Sequence, residues 1–358
     1  MNIENLFSRG KQIVGLDIGE SSLKLVEIIE TPKGYLLNHF SQISLERGVI
    51  VDGVVVEQEQ LTEKIKELFK YGGCKQKRIV TSLPGHSVII KKASFPAMDE
   101  GELRDLINDE AGKYLPFDNM EGVNFDFQTL GENEFNPKQL DVLLVAAKKD
   151  IITGYTEAIK NAGLSVVIMD VDSFALETMY EENYDFAEDD TDILVNIGAS
   201  ITNINVVKNG ASIFTRDFNL GGNAVTEAIS KRLGLTFAEA EKIKIEGPDG
   251  DEPVKSEFRE NMLTYAEPLC SEIERSIDYF RSTYGSGEIK HILLSGGGAK
   301  IPGIAADLFG RLGIETEIIN PFKKIDFNRK VLKADYLESI APVAAVGVGL
   351  ALRREGDK

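Results

Sequence analysis

Cysteine and histidine are scarce in this chain. Cys74 and Cys270 are the only thiols among 358 residues, and His39, His86 and His291 the only imidazoles. Two thiols exclude a disulfide framework and a zinc cluster, and a reducing compartment follows as the default. The three histidines stand in no metal-ligand spacing and beside no evident nucleophile, so they read as ordinary structural or surface residues. Tryptophan is absent, and acidic residues outnumber basic ones 58 to 40, for a net charge of −18. Such a surface as a whole has no attraction for nucleic acid or anionic lipid, so any tie to a membrane runs through a partner or a local patch. Long apolar runs are missing too. The greasiest stretch, 340–352, falls short of the roughly 20 residues that a bilayer span needs. Its interleaved Ala and Gly suggest a closely packed core helix. The opening MNIENLFSRGK lacks the apolar centre of a secretory signal, and the closing RREGDK adds no amphipathic anchor. No GxxxxGK[ST], strand-GxGxxG-helix or GxSxG occurs, which argues against P-loop, Rossmann and α/β-hydrolase chemistry.

What the chain does contain is alternation. Its 42% apolar content and length leave room for one large or two ordinary domains. Residues 13–29, IVGLDIGESSLKLVEII, read as strand, small polar knot, strand, and 35–43 as a further strand. Leu61, Ile65, Leu68 and Phe69 share one face of a helix over 57–71. Gly72 and Gly73 stop it, and 77–83 is a strand. From Pro84 the texture changes. A strand at 88–93, a helix over 98–114 begun by Asp99, strands at 123–130 and 140–148 parted by GENEFNPK, and a helix over 151–162 form a β-α-β-β-α module. Its size is ordinary for an inserted unit. A strand at 166–171 and a helix at 173–180 follow. EENYDFAEDDTD, 181–192, is acidic and reads as a solvated connector at the main internal boundary. The second half then repeats the first. ILVNIGASITNINVV, 193–207, lies over VGLDIGESSLKLVEI at a constant offset, so that Asn196 matches Asp17, Gly198 matches Gly19, Ser200 matches Ser21 and Asn203 matches Lys24. A repeat of this kind points to two related α/β lobes facing each other, with a ligand in the cleft between them.

Four stretches carry chemistry. In Asp17-Ile18-Gly19-Glu20-Ser21-Ser22, Gly19 permits a tight turn whose following amides and hydroxyls can face phosphate oxygens. Asp17 could hold magnesium through water. Lys24 could add positive charge, although strand alternation could turn it away. A plain hairpin turn is the competing reading of this stretch alone. The repeat at 196–203 makes a two-sided grip on a polyphosphate the better one. Leu293-Leu294-Ser295-Gly296-Gly297-Gly298-Ala299 runs an apolar strand into three glycines, with a helix beginning near Pro302. Backbone without side chains lets a flat base or sugar approach; a flexible loop is the alternative. Glu241 and Lys244, three apart on a helix begun near Thr236, share a face. They could bond a ribose and a base edge, or form an exposed ion pair.

These residues resemble the actin-like ATPase superfamily. Residues 14–26 are similar to its phosphate-1 motif, 194–207 to phosphate-2 and 293–303 to the adenosine motif. Gly221-Gly222-Asn223 and 345–349 resemble the two connecting segments, and Glu241 and Lys244 the adenosine-contacting pair. Within the superfamily the inserted module resembles the 1C subdomain of FtsA and of the PilM family of type IV pilus assembly proteins. SLPGHSVIIKKASFP, KYLPF, VDSFALE and Asn320-Pro321-Phe322 are similar to PilM in particular. The resemblance implies an α/β actin-like ATPase fold of two duplicated lobes with a nucleotide cleft. It implies a first lobe (1A) over 1–83, an inserted 1C-like subdomain over 84–165, and a return of the first lobe with the acidic connector over 166–190. A second lobe (2A/2B) then covers 191–339, and a C-terminal helix over 340–358 packs back on the first. It implies ATP and Mg²⁺ as cofactors, with Gly19, Ser21, Ser22, Lys24, Asn196, Gly198, Ser200, Gly221, Gly222, Glu241, Lys244, Gly296, Gly297, Gly298 and Ala299 around the nucleotide. Asp17 would hold the metal, and Asp172 would stand where chaperone ATPases carry a water-positioning Glu. It further implies a cytoplasmic scaffold at the inner face of the inner membrane, docking the N-terminal segment of a PilN-like membrane protein and meeting other pilus platform proteins. One position departs: phosphate-2 begins with Asn196 where the superfamily usually has Asp. Loss of that anion implies ATP binding with very slow or absent hydrolysis. Two other readings stay open, an active ATPase or small-molecule kinase using Asp172 or Asp170, and a filament-forming FtsA-like membrane tether.

Overall fold

Two sheets of one design organise the chain. The computed structural model describes residues 13–133, 136–187, 190–285, 288–329 and 332–356. The opening MNIENLFSRGK, Asp357 and Lys358 of the tail, Glu134 and Phe135 of the 131–138 loop, and Glu188 and Asp189 of the acidic stretch lie outside the described residues.

β1 (Val14–Ile18) and β2 (Ser22–Thr31) are the strand that breaks at the Gly19 turn, and β3 (Gly34–Ser44) completes an antiparallel meander. All five residues of β1 are buried, as expected of a strand covered on both faces. A short hairpin, β4 (Ile50–Val51) and β5 (Val54–Val55), leads to α1 (Gln58–Gly72). α1 ends where Gly73 takes a left-handed φ of 62°. β6 (Arg78–Leu83) then pairs parallel with β1.

The inserted module follows. β7 (Val88–Pro96), α2 (Glu100–Tyr114), β8 (Val123–Asn133) and β9 (Asn136–Lys148) form a three-stranded antiparallel sheet, order β7-β9-β8, under one helix. Asp99 caps α2, its side chain accepting from the Glu102 amide at 2.9 Å. Phe95, Leu103, Ile107, Val142 and Leu144 make a core of its own. α3 (Lys149–Asn161), grouped with the insert by sequence, buries Tyr155, Ala158 and Ile159 beside Leu61, Ile65 and Leu68 in the core of the first lobe. Gln58 of α1 also bonds the Gly154 carbonyl at 3.0 Å. β10 (Ser165–Val171) returns beside β6, and α4 (Asp172–Asn183) follows.

The second lobe repeats the meander as β11 (Thr191–Ile197), β12 (Thr202–Lys208) and β13 (Ala211–Phe218). α5 (Gly222–Leu233), α6 (Phe237–Glu246) and the 33-residue α7 (Glu252–Tyr284) precede β14 (Ile289–Ser295), α8 (Ile304–Leu312) and β15 (Glu315–Ile318). The orders β3-β2-β1-β6-β10 and β13-β12-β11-β14-β15 match in sequence and in strand sense. The duplication read from two hairpins therefore extends to both whole sheets. The chain then returns, and β16 (Asp326–Phe327) pairs parallel with β3.

The acidic stretch 181–192 keeps Glu181, Glu182 and Asp185 exposed, as a solvated connector would, but packs its aromatics and its last acid. Tyr184 and Phe186 stack on Tyr180 with ring centroids 5.5 Å away, and buried Asp192 accepts from the Tyr180 hydroxyl at 2.5 Å and the His291 amide at 3.1 Å. Its aromatics outweigh its charge.

α9 (Ala334–Leu352) has 19 residues and is long and apolar enough to cross a membrane, but 72% of its apolar window is buried in protein. It packs with α4 between the sheets, where Val26 and Leu37 of the first lobe meet Leu194, Val207 and Leu293 of the second. Small residues set the spacing. A Cβ on Gly15 would lie 2.5 Å from the Gly347 carbonyl oxygen, and one on Gly349 would overlap the Ala175 carbonyl. In an open helix Gly→Ala gains about 1 kcal/mol. Here Gly349→Ala is expected to destabilise by about 3 kcal/mol through overpacking, measured by denaturant unfolding; a gain in stability would show that α9 can move away from α4.

Candidate functional site

The two hairpin turns are built alike. The Gly19 amide donates to the Ser22 carbonyl at 3.1 Å, and the Gly198 amide to the Ile201 carbonyl at 2.9 Å. Ser21 is exposed at the first tip and Ser22 is buried behind it. On the second turn Ser200 Oγ accepts from the Asn223 side chain at 3.0 Å. Gly222 and Asn223 donate backbone bonds to the carbonyls of Gly198 and Ala199 at 2.9 and 2.7 Å. A Cβ on Gly221 would sit 2.5 Å from the Gly198 carbonyl oxygen, so the start of α5 seats directly on the turn.

Glu241 and Lys244 come to the same place from α6, whose start is closed by a capping box between Thr236 and Glu239. Lys244 Nζ lies 2.7 Å from Glu241 Oε2 and donates to the Gly222 carbonyl at 3.1 Å and to Thr226 Oγ1 at 2.8 Å. Its side chain is only 14% exposed, so this is not a solvated surface pair.

The three glycines after β14 divide in role. Gly296, at φ 81°, presses on the Ile197 carbonyl and donates to the Pro342 carbonyl of α9 at 2.7 Å. A Cβ on Gly298 would overlap the Ile197 side chain, and Ala299 is fully buried. Only Gly297 faces open space. Gly296 and Gly298 thus serve the packing of β14 on β11, and Gly297 alone of the three is left uncovered.

On the first lobe, Asp17 and Lys24 are cross-strand neighbours, and Lys24 Nζ lies 3.1 Å from Asp17 Oδ2 with both largely buried. Lys24 therefore lies on the same face as Asp17, whose charge is already countered. Asp172, the first residue of α4, accepts from Ser82 Oγ at 2.5 Å. Loss of water around it, then the Asp17 carboxylate, push its carboxyl up to about 7, against the Ser82 hydrogen bond and Lys24. Asp170, the other candidate base, is held by Arg353 at 2.6 Å and is turned to the C-terminal end of α9. Asn196 Oδ1 lies 3.4 Å from Ser295 Oγ, joining phosphate-2 to the glycine strand.

Sequence reasoning missed several residues. His86, read as an ordinary histidine, lies beside Asp217 in a pocket between the lobes, and among the described residues neither of its buried ring nitrogens has a hydrogen-bond partner. Asp217 accepts from Asn203 Nδ2 at 2.5 Å, and burial raises its pKa. Ser82 and Ser173 flank Asp172. The available signal was the position of His86 just past the end of β6, beside the lobe junction. Asp217 at the end of β13 carried none.

Residues 15–355 match the family described as type IV pilus assembly protein PilM. A solved PilM–PilN type IV pilus biogenesis complex contains a chain 29% identical, with 97% of this chain and 99% of that chain covered and a TM-score of 0.84. The cell division protein FtsA of Enterococcus hirae is 22% identical over 92% of this chain and 85% of its own length. FtsA of Pseudomonas aeruginosa is 25% identical over 85% and 83%. The ethanolamine utilization protein EutJ of Carboxydothermus hydrogenoformans shares the fold at 16% identity, with coverage of 95% and 88% and a TM-score of 0.58.

The position of Asp172 has a pH signature. The folded chain retains a proton that the unfolded chain releases near 3.8, so this stabilisation is full below that value and is lost as pH rises through about 7. Asp172→Asn mimics the protonated form. Its melting temperature relative to the wild type is expected to rise by several degrees from pH 5 to pH 8. Glu177, also pushed up to about 7, is present in both proteins and cancels. A difference independent of pH would mean that Asp172 is ionised throughout.

Proposed function

Because the chain belongs to the type IV pilus assembly protein PilM family, we propose that it is a cytoplasmic ATP-binding scaffold at the inner face of the inner membrane. Its partner is the N-terminal cytoplasmic segment of a PilN-like membrane protein, and through it other pilus platform proteins. The observation that carries this reading is the match of nearly the whole chain, insert included, to a PilM solved together with PilN.

The geometry supports a nucleotide between the lobes. The Gly19-to-Ser22 and Gly198-to-Ser200 turns would hold the phosphates, with Lys24 beside them. Gly297 would lie under the base and sugar, and Glu241 and Lys244 would bound the other side. ATP brings magnesium with it, and the Asp17–Lys24 pair leaves Asp17 little free charge for the metal. Hydrolysis is slow or absent in this reading, because Asn196 cannot act as a base and Asp172 is only partly ionised at neutral pH. ATP then acts as a structural ligand that fixes the two lobes against each other. The partner segment docks in the groove formed by the first lobe and residues 84–165.

Desalting after incubation with Mg-ATP is expected to leave near-stoichiometric intact ATP on the protein; retained ADP would replace the scaffold with an active ATPase. Gly297→Val is expected to keep the wild-type melting temperature and to lose at least tenfold in ATP affinity, whereas Gly298→Val loses the fold. Unchanged ATP binding by folded Gly297→Val would remove the glycine strand from the site. The partner segment is expected to slow amide exchange in 84–165 and the adjoining first lobe. Protection confined to the second lobe would overturn the docking assignment.

A further inference from the structure

A side chain of the first lobe reaches the second at its surface. Arg47 lies in the loop between β3 and β4. Its guanidinium donates to Glu227 Oε1 of α5 at 3.1 Å and sits over the ring of Phe237, the first residue of α6, 4.4 Å from the centroid. The loop that carries it is held in place. Leu45 and Val49, on either side of its tip, are buried in the core of the first lobe. The Leu45 amide donates to the Ser21 carbonyl of the first hairpin turn at 2.9 Å, and the Val49 carbonyl accepts from the Val56 amide at 2.9 Å. Lys64 pairs with Glu46 at 3.1 Å. Arg47 thus projects from a fixed spur on the first turn.

The receiving corner is tied to the other end of the candidate site. Glu227 follows Thr226, whose hydroxyl takes Lys244 Nζ at 2.8 Å and bonds Glu241. Phe237 precedes Glu241 by four residues, one turn along the same side of α6. Arg47 therefore links the Ser21 turn to the helices that carry Glu241 and Lys244. The contact is at the rim, since the Arg47 and Glu227 side chains are 64% and 47% exposed. The lobes are joined on their buried side by the core around α4 and α9, so they part by opening at the exposed rim. An exposed ion pair alone is weak. A guanidinium can bond a carboxylate in its plane and lie on a ring with its face, so both contacts act together. An exposed contact opens readily, and one fixed at both ends closes again in the same register. These are the properties of a latch.

We propose that Arg47 is a latch across the rim of the cleft. It must leave Glu227 and Phe237 before the lobes part, and so it sets how long nucleotide stays bound. The effect on nucleotide rests on the reading of the cleft given above; the latch between the lobes does not.

The test has two readouts on the full chain. In the first, radiolabelled ATP is bound and chased with unlabelled ATP. Arg47→Ala is expected to release it about threefold faster than the wild type, with the melting temperature unchanged because the side chain is exposed. Glu227→Ala is expected to act in the same direction but less, since Phe237 still holds Arg47. The double variant is expected to be no faster than Arg47→Ala alone, because the contact is shared. Unchanged release by Arg47→Ala, or effects of the two substitutions that simply add, would overturn the proposal. The second readout needs no nucleotide. Spin labels are placed at Gln60→Cys on the first lobe and Arg232→Cys on the second, in a Cys74→Ala chain, and their separation is measured by electron–electron double resonance. Arg47→Ala is expected to extend the distribution to longer distances. An identical distribution would overturn the latch even where ATP binds. A longer one in a chain that retains no ATP would keep the latch between the lobes and remove the nucleotide reading instead.

Discussion

The backbone of α9 touches the backbone of its neighbours. At Gly349 there is no room for a Cβ beside the Ala175 carbonyl of α4, and at Gly15 none beside the Gly347 carbonyl. This contact holds the two central elements of the molecule at a distance that only glycine permits, and dispersion is greatest where atoms approach that closely. The rest of the cleft hangs from it. α4 presents Asp172 and Ser173 at its first turn, and α9 offers the Pro342 carbonyl to Gly296. The floor of the cleft and the glycine strand are thus positioned by one helix pair, and the two sheets share the core around it.

The electrostatics of the cleft follow from crowding carboxylates into that space. Asp17 is balanced by Lys24, while burial pushes Asp172 and Asp217 toward the neutral form, against the weaker pull of Lys24 on the first and of His86 on the second. The proposed retention of nucleotide without turnover rests on that balance.

The insert reaches the phosphate turns through a short route. The β4–β5 hairpin receives the Tyr155 hydroxyl of α3 on the Gly53 carbonyl at 3.1 Å, and its Gly53 amide donates to Glu20 Oε1 of the first turn at 3.4 Å. Tyr155 is fully buried, and the charges of Asp172, Glu20 and Asp17 add to the effect of burial in raising its hydroxyl pKa. α3 belongs to the first-lobe core although it follows the insert in sequence. The first turn is thus linked to the helix that follows the inserted module.

Much of this was legible beforehand because it is encoded locally. Apolar alternation defines the strands, Asp99 and Gly73 mark helix ends, and the offset between 14–28 and 193–207 reveals the duplication. Glycine after an apolar strand showed where the chain must come close to something. Other features depend on what lies across the interface, which no local pattern carries. Position alone cannot tell that Gly296 and Gly298 yield to Ile197 while Gly297 stays open, since all three have the same neighbours in sequence. The same holds for the acidic stretch, where stacking of Tyr184 and Phe186 on Tyr180 buries Asp192. His86 and Asp217, 131 positions apart in the chain, meet only because the lobes fold against each other. By itself the sequence determined two related α/β lobes with matching glycine turns and an insert, since these rest on periodicity and turn chemistry. Which polar groups are left without partners was decided by the tertiary structure, because burial and the availability of a partner arise only when distant segments are packed together.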